Sequence, residues 1–293
     1  MNTTTTSLVL GNGGARGLVH IGVIRCLQKR DYDIRYVAGS SMGALVGGIF
    51  AAGKLDIYAD WVGGLQRRDI LRLLDWSLDG VLFKGERIID VLRELVGDRQ
   101  IEDLPIGFTA VATDLTQRQE VWLNRGDLFG AIPASIAVPT ICAPVTSGNP
   151  VLIDGEVVNP VPVAPTLNDH TDITFAVDLN GPSEPDLFPA EEETIRPTRN
   201  AYSARIGQFI ERFWPNSPAP DEQRLGFSDL IIRSMETMQA RITQSKLAAN
   251  PPHHVLTISR NLCGFSEFHR ARELIEFGYG RTDHLFSGVE HRR

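Results

Sequence analysis

The sequence predicts an α/β fold in three layers, α/β/α, with a mainly parallel central sheet. From residue 8 onward, short apolar strands alternate with helix-like segments. Two glycine-rich turns, at 11–17 and 39–43, separate the first strands from the helices that follow them. Such alternation is typical of a parallel sheet with helices on its faces. With 293 residues, the chain is long enough to bury a large core.

The N-terminal part predicts two strand–turn–helix units. A buried strand at 8–10 leads through the glycine loop into a helix that begins near Arg16 and keeps an apolar spacing to Lys29. A second strand at 36–38 leads through a sharp turn into a helix of small residues at 44–52. Small side chains in that helix favour close packing.

The rest of the chain continues this pattern. We divide it into a catalytic core at 1–180, a linker or loop at 181–200 that is rich in proline and acidic residues, and a mainly helical part at 201–293 that completes the same domain. Further strands are predicted at 108–113, 120–123, 151–153, 173–177 and 255–258. Helices are predicted over much of 56–97 and at 128–137, 201–213, 227–247 and 267–277.

Composition excludes several classes of protein. The net charge of −7 argues against a nucleic-acid partner, which would require a basic surface. The three cysteines form no CxxC pair, so we expect neither a disulfide framework nor a metal site. No run approaches the ~20 apolar residues of a membrane span. We therefore expect a cytoplasmic protein that touches membranes at most peripherally.

The turn at 39–43 fits the pattern G-x-S-x-G, with Ser41 at its centre between glycines Gly39 and Gly43. In this arrangement the serine lies on a strained strand-to-helix turn that lifts its hydroxyl above the sheet, and only small residues fit two positions away. The next helix also directs its N-terminus at the reacting oxygen. Ser41 is therefore the predicted nucleophile; Ser40 lacks glycines at the required offsets.

The loop at 11–17 predicts an oxyanion site, because the amides of Gly13 and Gly14 lack side chains that would block a developing negative charge. A dinucleotide site is the alternative interpretation. Gly11 is the first glycine of a G-x-G-x-x-x-G pattern, but Arg16 stands where the dinucleotide fingerprint requires its third glycine. In that interpretation Asp31 or Asp33 would bind the ribose.

Asp154 is the better candidate for the base, although an Asp-Gly pair taken alone is more typical of an ordinary turn. None of the seven histidines has a recognisable catalytic setting, and His20, one turn after Arg16, is more typical of a packed or capping residue. Asp154 and Gly155 end a buried strand, where sites form at the edge of a parallel sheet. Because an ordinary aspartate is a weak base, we expect desolvation and the nearby Glu156 to raise its pKa.

Together these motifs, in this order, resemble the patatin-like phospholipases, in particular the bacterial branch related to neuropathy-target-esterase domains. The resemblance covers 7–180 and resumes at 229–247 and 268–279. The matching segments are the glycine loop 13–23, the serine turn 39–43, the segment 153–162 around Asp154, and the stretches 82–85, 112–115 and 134–139.

This resemblance implies a patatin-like fold and a Ser-Asp dyad without histidine. Ser41 would attack an acyl-lipid ester and Asp154 would take its proton. The oxyanion would be held by the amides of Gly13, Gly14 and Met42, while Arg16 would orient the loop or meet a phosphate head group. Neither metal nor cofactor is implied. The alternatives are a nucleotide-binding oxidoreductase and a non-catalytic patatin-like interaction module.

Two residues depart from the family pattern. Asn12 stands where the family usually has glycine, and Glu156 stands where it commonly has glycine or alanine. Asparagine tolerates left-handed backbone better than most residues, so we expect the loop to be preserved. Glu156 changes the charge beside Asp154.

A basic, aromatic helix is predicted at 202–214. Tyr202, Phe209 and Trp214 are among its apolar residues at helical spacing, and Arg205 and Arg212 flank them. Such a helix would lie on a membrane surface or cover an acyl pocket as a lid. It would equally pack on this protein's own core or on a second copy in a homodimer, because any surface helix is amphipathic.

Overall fold

The computed structural model describes residues 3–73, 85–139, 142–146, 150–185 and 227–290. In this part of the chain, eight strands form one sheet, in the spatial order β5-β6-β3-β2-β1-β7-β8 with β4 paired to β3. The strands are Thr4–Leu10 (β1), Tyr32–Ser40 (β2), Gly107–Asp114 (β3), Gln119–Leu123 (β4), Val145–Thr146 (β5), Val151–Asp154 (β6), Ile173–Gly181 (β7) and His254–Ser259 (β8).

Helices connect and cover these strands. The α-helices are Val19–Lys29 (α1), Met42–Ala51 (α2), Leu55–Gly63 (α3), Arg67–Leu73 (α4), Glu86–Val96 (α5), Leu128–Ile136 (α6), Phe227–Ala249 (α7) and Ala271–Glu290 (α8). Short 3₁₀ helices lie at Gly14–Leu18, Ile101–Asp103, Gly155–Val157, Ala164–Thr166 and Phe268–Arg270.

The prediction of a mainly parallel sheet is confirmed. Strands β8, β7, β1, β2 and β3 pair in parallel, whereas β4, β5 and β6 are antiparallel to their neighbours. The carboxyl ends of β1 and β2 therefore meet at one edge, where the glycine loop and Ser41 follow them. The antiparallel direction of β6, which carries Asp154, was not predicted.

Successive side chains of β1 point to opposite faces of the sheet and pack against different layers. Leu8 and Leu10 belong to the main core, together with residues of α1, α2 and α8. Val9, whose side chain points to the opposite face, packs with Val161 and Ala176, and Leu247 of α7 lies against this group. Strands and helices thus form an α/β/α arrangement with apolar cores on both faces of the sheet.

Some predicted segments cannot be placed. The predicted helix at 201–213, and with it the segment 202–214 considered for membrane contact, lies outside the described residues, as does the family-like segment 82–84. Within the described ranges, every helix is too short or too polar to span a bilayer.

Candidate active site

Ser41 lies on a strained turn between β2 and α2. Its backbone has φ 55° and ψ −127°, a conformation that glycine adopts readily and serine does not. A Cβ atom on Gly39 would lie 2.4 Å from the carbonyl oxygen of Gly43, and one on Gly43 would lie 2.0 Å from that of Leu10. The flanking glycines are therefore required by backbone contacts, and the predicted turn geometry is present.

Ser135, which the sequence did not single out, supports this turn from α6. Its Oγ accepts a hydrogen bond of 3.1 Å from the Ser41 amide and donates one of 2.6 Å to the Val111 carbonyl. Ser135 thereby ties the serine turn to β3. The only sequence signal is one polar residue inside an apolar helix, which is too weak to predict such a contact.

Asp154 reaches the serine through strand pairing along one edge of β3. Ser40 pairs with Val111, and the next residue of β3, Ala112, pairs with Asp154. At Ala112, β4 pairs with one edge of β3, so β6 must pair with the other edge, the one that β2 occupies up to Val111. Along this edge β6 therefore follows β2, at the point where the chain leaves β2 and turns at Ser41. Asp154 is the last residue of β6, but this strand runs antiparallel to β3, so the position of Asp154 does not follow from the meeting of parallel strand ends.

Gly155 makes this approach possible. A Cβ atom there would lie 2.1 Å from the carbonyl oxygen of Val111 and 2.8 Å from the Ser40 hydroxyl. Ser40 itself is fully buried and does not line the cavity described below, whereas Ser41 does. The structure therefore favours Ser41 over Ser40 as the reactive hydroxyl.

The Asp154 carboxylate is completely buried. Its Oδ1 accepts a hydrogen bond of 2.8 Å from the amide of Glu156, while Oδ2 has no hydrogen-bond partner among the described residues. Burial raises the pKa of Asp154 well above its ordinary value, and the charge of Glu156 raises it further. The Ser41 hydroxyl acts in the opposite sense and lowers this pKa, although no hydrogen bond of regular geometry joins it to Oδ2. Catalytic hydrogen bonds are often loose before substrate binds.

Backbone amides without a hydrogen-bond partner among the described residues lie in the glycine loop and at the start of α2. Within the described residues, the amides of Gly13 and Gly14 make no hydrogen bond, and Gly14 has a left-handed backbone with φ 52°. The amide of Met42 is the first of α2 and has no partner within its helix. A Cβ atom on Gly17 would lie 2.4 Å from Cβ of Met42, so the glycine loop packs directly on the serine turn.

The side chains of Arg16 and His20 hold the glycine loop in place through hydrogen bonds. Arg16 donates hydrogen bonds to the carbonyl of Arg260, at 2.5 Å, and to Oδ1 of Asn180, at 3.3 Å, and burial lowers its pKa. His20 is buried, and its Nε2 donates a hydrogen bond of 2.8 Å to the Gly11 carbonyl. Burial lowers the pKa of His20 to about 4, so the ring is neutral at physiological pH. Both residues position the loop.

The residues required for a dinucleotide site are not brought together. Asp33 lies near the amino end of β2, opposite Thr5 of β1, and Asp31 precedes this strand. Asp33 also forms an ion pair with Arg35. The glycine loop follows the carboxyl end of β1, whereas both aspartates lie at the amino ends of the strands. Neither aspartate can therefore bind a ribose held by the loop. Asp31 and Asp33 therefore give the dinucleotide interpretation no support.

An apolar cavity of about 190 Å³ opens beside the serine. Ser41, Gly14 and Met42 are among the residues that line it. Its walls are aliphatic and aromatic side chains from α2, α3, α4, α5 and α6 and from the loop before α8, including Leu45, Trp61, Ile89, Ile136 and Phe265. The described residues hold no cluster of three histidine, cysteine, aspartate or glutamate side chains suited to a metal ion. The cavity therefore suits an apolar chain whose polar end lies at Ser41.

Comparison with known proteins connects this geometry to a family. The family model described as "Patatin-like phospholipase" matches residues 8–167. The uncharacterized NTE family protein Rv1063c of Mycobacterium tuberculosis is 38% identical over 318 residues, which cover 93% of this chain and 88% of that protein. Lysophospholipase NTE1 of Kluyveromyces lactis is 31% identical over 180 residues, which cover 59% of this chain and 12% of that protein.

Proposed function

Because this chain belongs to the patatin-like phospholipase family, we propose that it is a serine hydrolase of acyl lipids that works through a Ser41–Asp154 dyad. Family membership supports hydrolysis of lipid esters in general. The dyad, and a reaction of the phospholipase A, lysophospholipase or carboxylesterase type, are the finer parts of the proposal. The observation that carries it is the pairing of Ser40 and Asp154 with successive residues of one β3 edge.

The proposed reaction begins with proton transfer. Asp154 Oδ2, which has no other partner among the described residues, takes the proton of Ser41 as Oγ attacks the ester carbonyl. Burial favours this transfer, because it raises the proton affinity of the carboxylate toward that of a useful base. The resulting oxyanion accepts hydrogen bonds from the amides of Gly13, Gly14 and Met42. Each such donor is worth ~2.7–4 kcal/mol of the barrier.

The intermediate then breaks down in two stages. The carbon–oxygen bond to the leaving alcohol breaks, Asp154 returns its proton to that alcohol, and the acyl group remains on Ser41. Water next attacks the acyl carbonyl and gives its proton to Asp154. When the bond to Ser41 Oγ breaks, the serine recovers that proton and the fatty acid leaves.

The cavity supports a fatty acyl group as the part of the substrate that is recognised. Its walls offer almost entirely apolar contacts, and burying each methylene of a chain there stabilises the complex by about 0.8 kcal/mol. Since Ser41 lines the cavity, an acyl chain bound there would present its carbonyl carbon to Oγ. The alcohol part of the ester would then lie on the side of the glycine loop.

Labelling with a fluorophosphonate probe, combined with hydrolysis of short and long p-nitrophenyl esters, tests this proposal. Wild-type protein and the control Ser40→Ala are expected to react with the probe and to turn over esters. Ser41→Ala is expected to lose both, and Asp154→Asn to lose at least a hundredfold in kcat, as loss of a general base implies (~10²–10⁴-fold). Absence of labelling and hydrolysis in folded wild type would favour a non-catalytic module instead.

A further inference from the structure

The two residues that depart from the family pattern contact each other. Asn12, in the glycine loop, donates a hydrogen bond of 2.6 Å from Nδ2 to Oε2 of Glu156. Their side chains come from positions 144 residues apart, and both residues are buried, with 3% and 7% of their surface exposed. The contact bridges the loop with the unpaired amides and the turn that carries Asp154.

This bridge is anchored on both sides. On the Asp154 side, the amide of Glu156 donates to Asp154 Oδ1 at 2.8 Å. On the loop side, the Asn12 carbonyl oxygen Oδ1 accepts a hydrogen bond of 2.6 Å from Asn180, which in turn binds Arg16. The Asn12 amide also donates to the Pro160 carbonyl at 3.1 Å, four residues beyond Glu156. One continuous network therefore runs from Arg16 to Asp154.

We propose that Glu156 is a positioning residue for the reaction, which fastens the glycine loop to the Asp154 turn through Asn12 and acts on Asp154 by its negative charge. This inference rests on the proposed hydrolase function. The glycine loop and Asp154 approach the same ester from two strands of the sheet. A fixed distance between them is needed if the loop amides are to bind the oxyanion while Asp154 takes the proton.

Glu156 is surrounded by more groups that favour its ionised form than Asp154 is. Burial raises the pKa of Glu156, and Glu236 of α7 adds to this effect, whereas hydrogen bonds from Asn12 and Gln239 and the charge of Arg16 lower it. Asp154 is more completely buried and has fewer compensating partners. When the two acids share one negative charge, Glu156 is thus the better site for it, and Asp154 then ionises at higher pH.

Glu156→Gln tests the role of the charge, because glutamine keeps the shape and an acceptor for Asn12. We expect the acid-side inflection of kcat/KM against pH to move to lower pH by roughly one unit. The same change at an exposed site, Glu94→Gln, is the matched control and is expected to leave the profile unchanged. An inflection that Glu156→Gln does not move would overturn the proposal.

Glu156→Ala and Asn12→Ala test the bridge. Each is expected to lower kcat on p-nitrophenyl acetate about tenfold with little change in KM, and the double variant is expected to lose no more than either single variant. Independent, multiplying losses would contradict a shared contact. Thermal unfolding of each variant establishes that the compared proteins are folded.

One measurement needs no enzymatic activity, so it separates this inference from the proposed function. Both acids have raised pKa values in the folded protein, so wild type loses stability relative to the unfolded chain as pH rises. Glu156→Gln removes one of these acids and makes the rise in the pKa of the other, Asp154, smaller. Its stability relative to wild type is therefore expected to increase with pH above about 4.5, the ordinary range of glutamate. A difference independent of pH would overturn the proposal even in a protein without hydrolase activity.

Discussion

The α-carbon of Gly43 packs against the carbonyl oxygen of Leu10 so closely that a Cβ atom on Gly43 would lie only 2.0 Å from it. Both atoms belong to backbone, so neither can move aside cheaply. We therefore expect Gly43→Ala to lower the free energy of unfolding by more than about 3 kcal/mol, as severe overpacking does. Urea denaturation followed by circular dichroism measures this change.

Gly280 of α8 is the matched control, because a Cβ atom there meets nothing within 4 Å. Gly280→Ala is expected to raise the stability by about 0.5–1 kcal/mol, the ordinary preference of a helix for alanine over glycine. If the two substitutions had equal effects, the close contact at Gly43 would not exist in solution.

The strained backbone of Ser41 predicts that removal of its side chain stabilises the protein. Ser41→Gly relieves a φ of 55°, whereas Ser41→Ala retains the Cβ atom and therefore the strain. Strain of this kind costs of order 1–3 kcal/mol, partly offset by the larger entropy of an unfolded glycine. We expect Ser41→Gly to be about 1 kcal/mol more stable than Ser41→Ala in urea denaturation. Equal stabilities would show that the turn relaxes in solution.

His20 predicts a loss of stability in mildly acidic solution. Its pKa is lowered from 6.5 in the unfolded chain to about 4 in the folded protein, so protonation favours unfolding. Above pH 6.5 the ring is neutral in both the folded and the unfolded protein, and the free energy of unfolding does not depend on its protonation. As pH falls from 6.5 toward 4, the free energy of unfolding decreases by on the order of 3 kcal/mol. Unfolding of wild type and His20→Gln across this range measures the effect.

In His20→Gln this part of the pH dependence is expected to disappear, since glutamine does not titrate but can still donate to the Gly11 carbonyl. His170 is exposed, so His170→Asn serves as the control and is expected to retain the wild-type pH dependence. The same pH dependence in wild type and His20→Gln would show that another group is responsible.

The apolar cavity predicts a chain-length effect that depends on Ile89. This residue of α5 lines the cavity, so tryptophan at this position would reduce the space for an acyl chain. Displacing two methylene groups would cost about 1.6 kcal/mol, which is on the order of tenfold in kcat/KM. Ile89→Trp is therefore expected to hydrolyse p-nitrophenyl dodecanoate at least tenfold less efficiently, with acetate hydrolysis retained.

Ile57→Trp places the same bulk on α3 at a residue that is 44% exposed and does not line the cavity. We expect it to leave the ratio of long-chain to short-chain hydrolysis unchanged. If Ile89→Trp lowered the rates on acetate and dodecanoate equally, the cavity would not be the site of the acyl chain.

Local patterns predicted the elements that carry the serine. The spacing of glycines around Ser41 and the apolar strand before it are short-range features, because a turn is determined by residues that are neighbours in the sequence. The predicted strand 36–38 is the buried end of the longer β2, and the predicted helix 44–52 corresponds to α2. The predicted helix 267–277 likewise corresponds to α8, which extends further, to Glu290.

Contacts between distant segments could not be predicted in this way. Asn12 and Glu156 were each recognised as departures from the family pattern, but no local pattern shows that one binds the other. The same holds for Ser135, whose role depends on the packing of α6 over β3. The direction of β6 depends on its pairing with a strand about 40 residues earlier, which no local pattern reveals. The role of Asp154 was therefore predicted mainly from the family resemblance.

The arrangement of two strands along one edge of β3 has a consequence for how the protein matures. Ser41, the proposed nucleophile, emerges from the ribosome 113 residues before the proposed base Asp154, and β6 can pair with β3 only after both strands have been synthesised. A nascent or partly refolded chain that lacks this pairing accordingly lacks the proposed dyad. During refolding in vitro, recovery of hydrolysis is expected to lag behind recovery of helical circular dichroism, as long-range pairing is slower than helix formation.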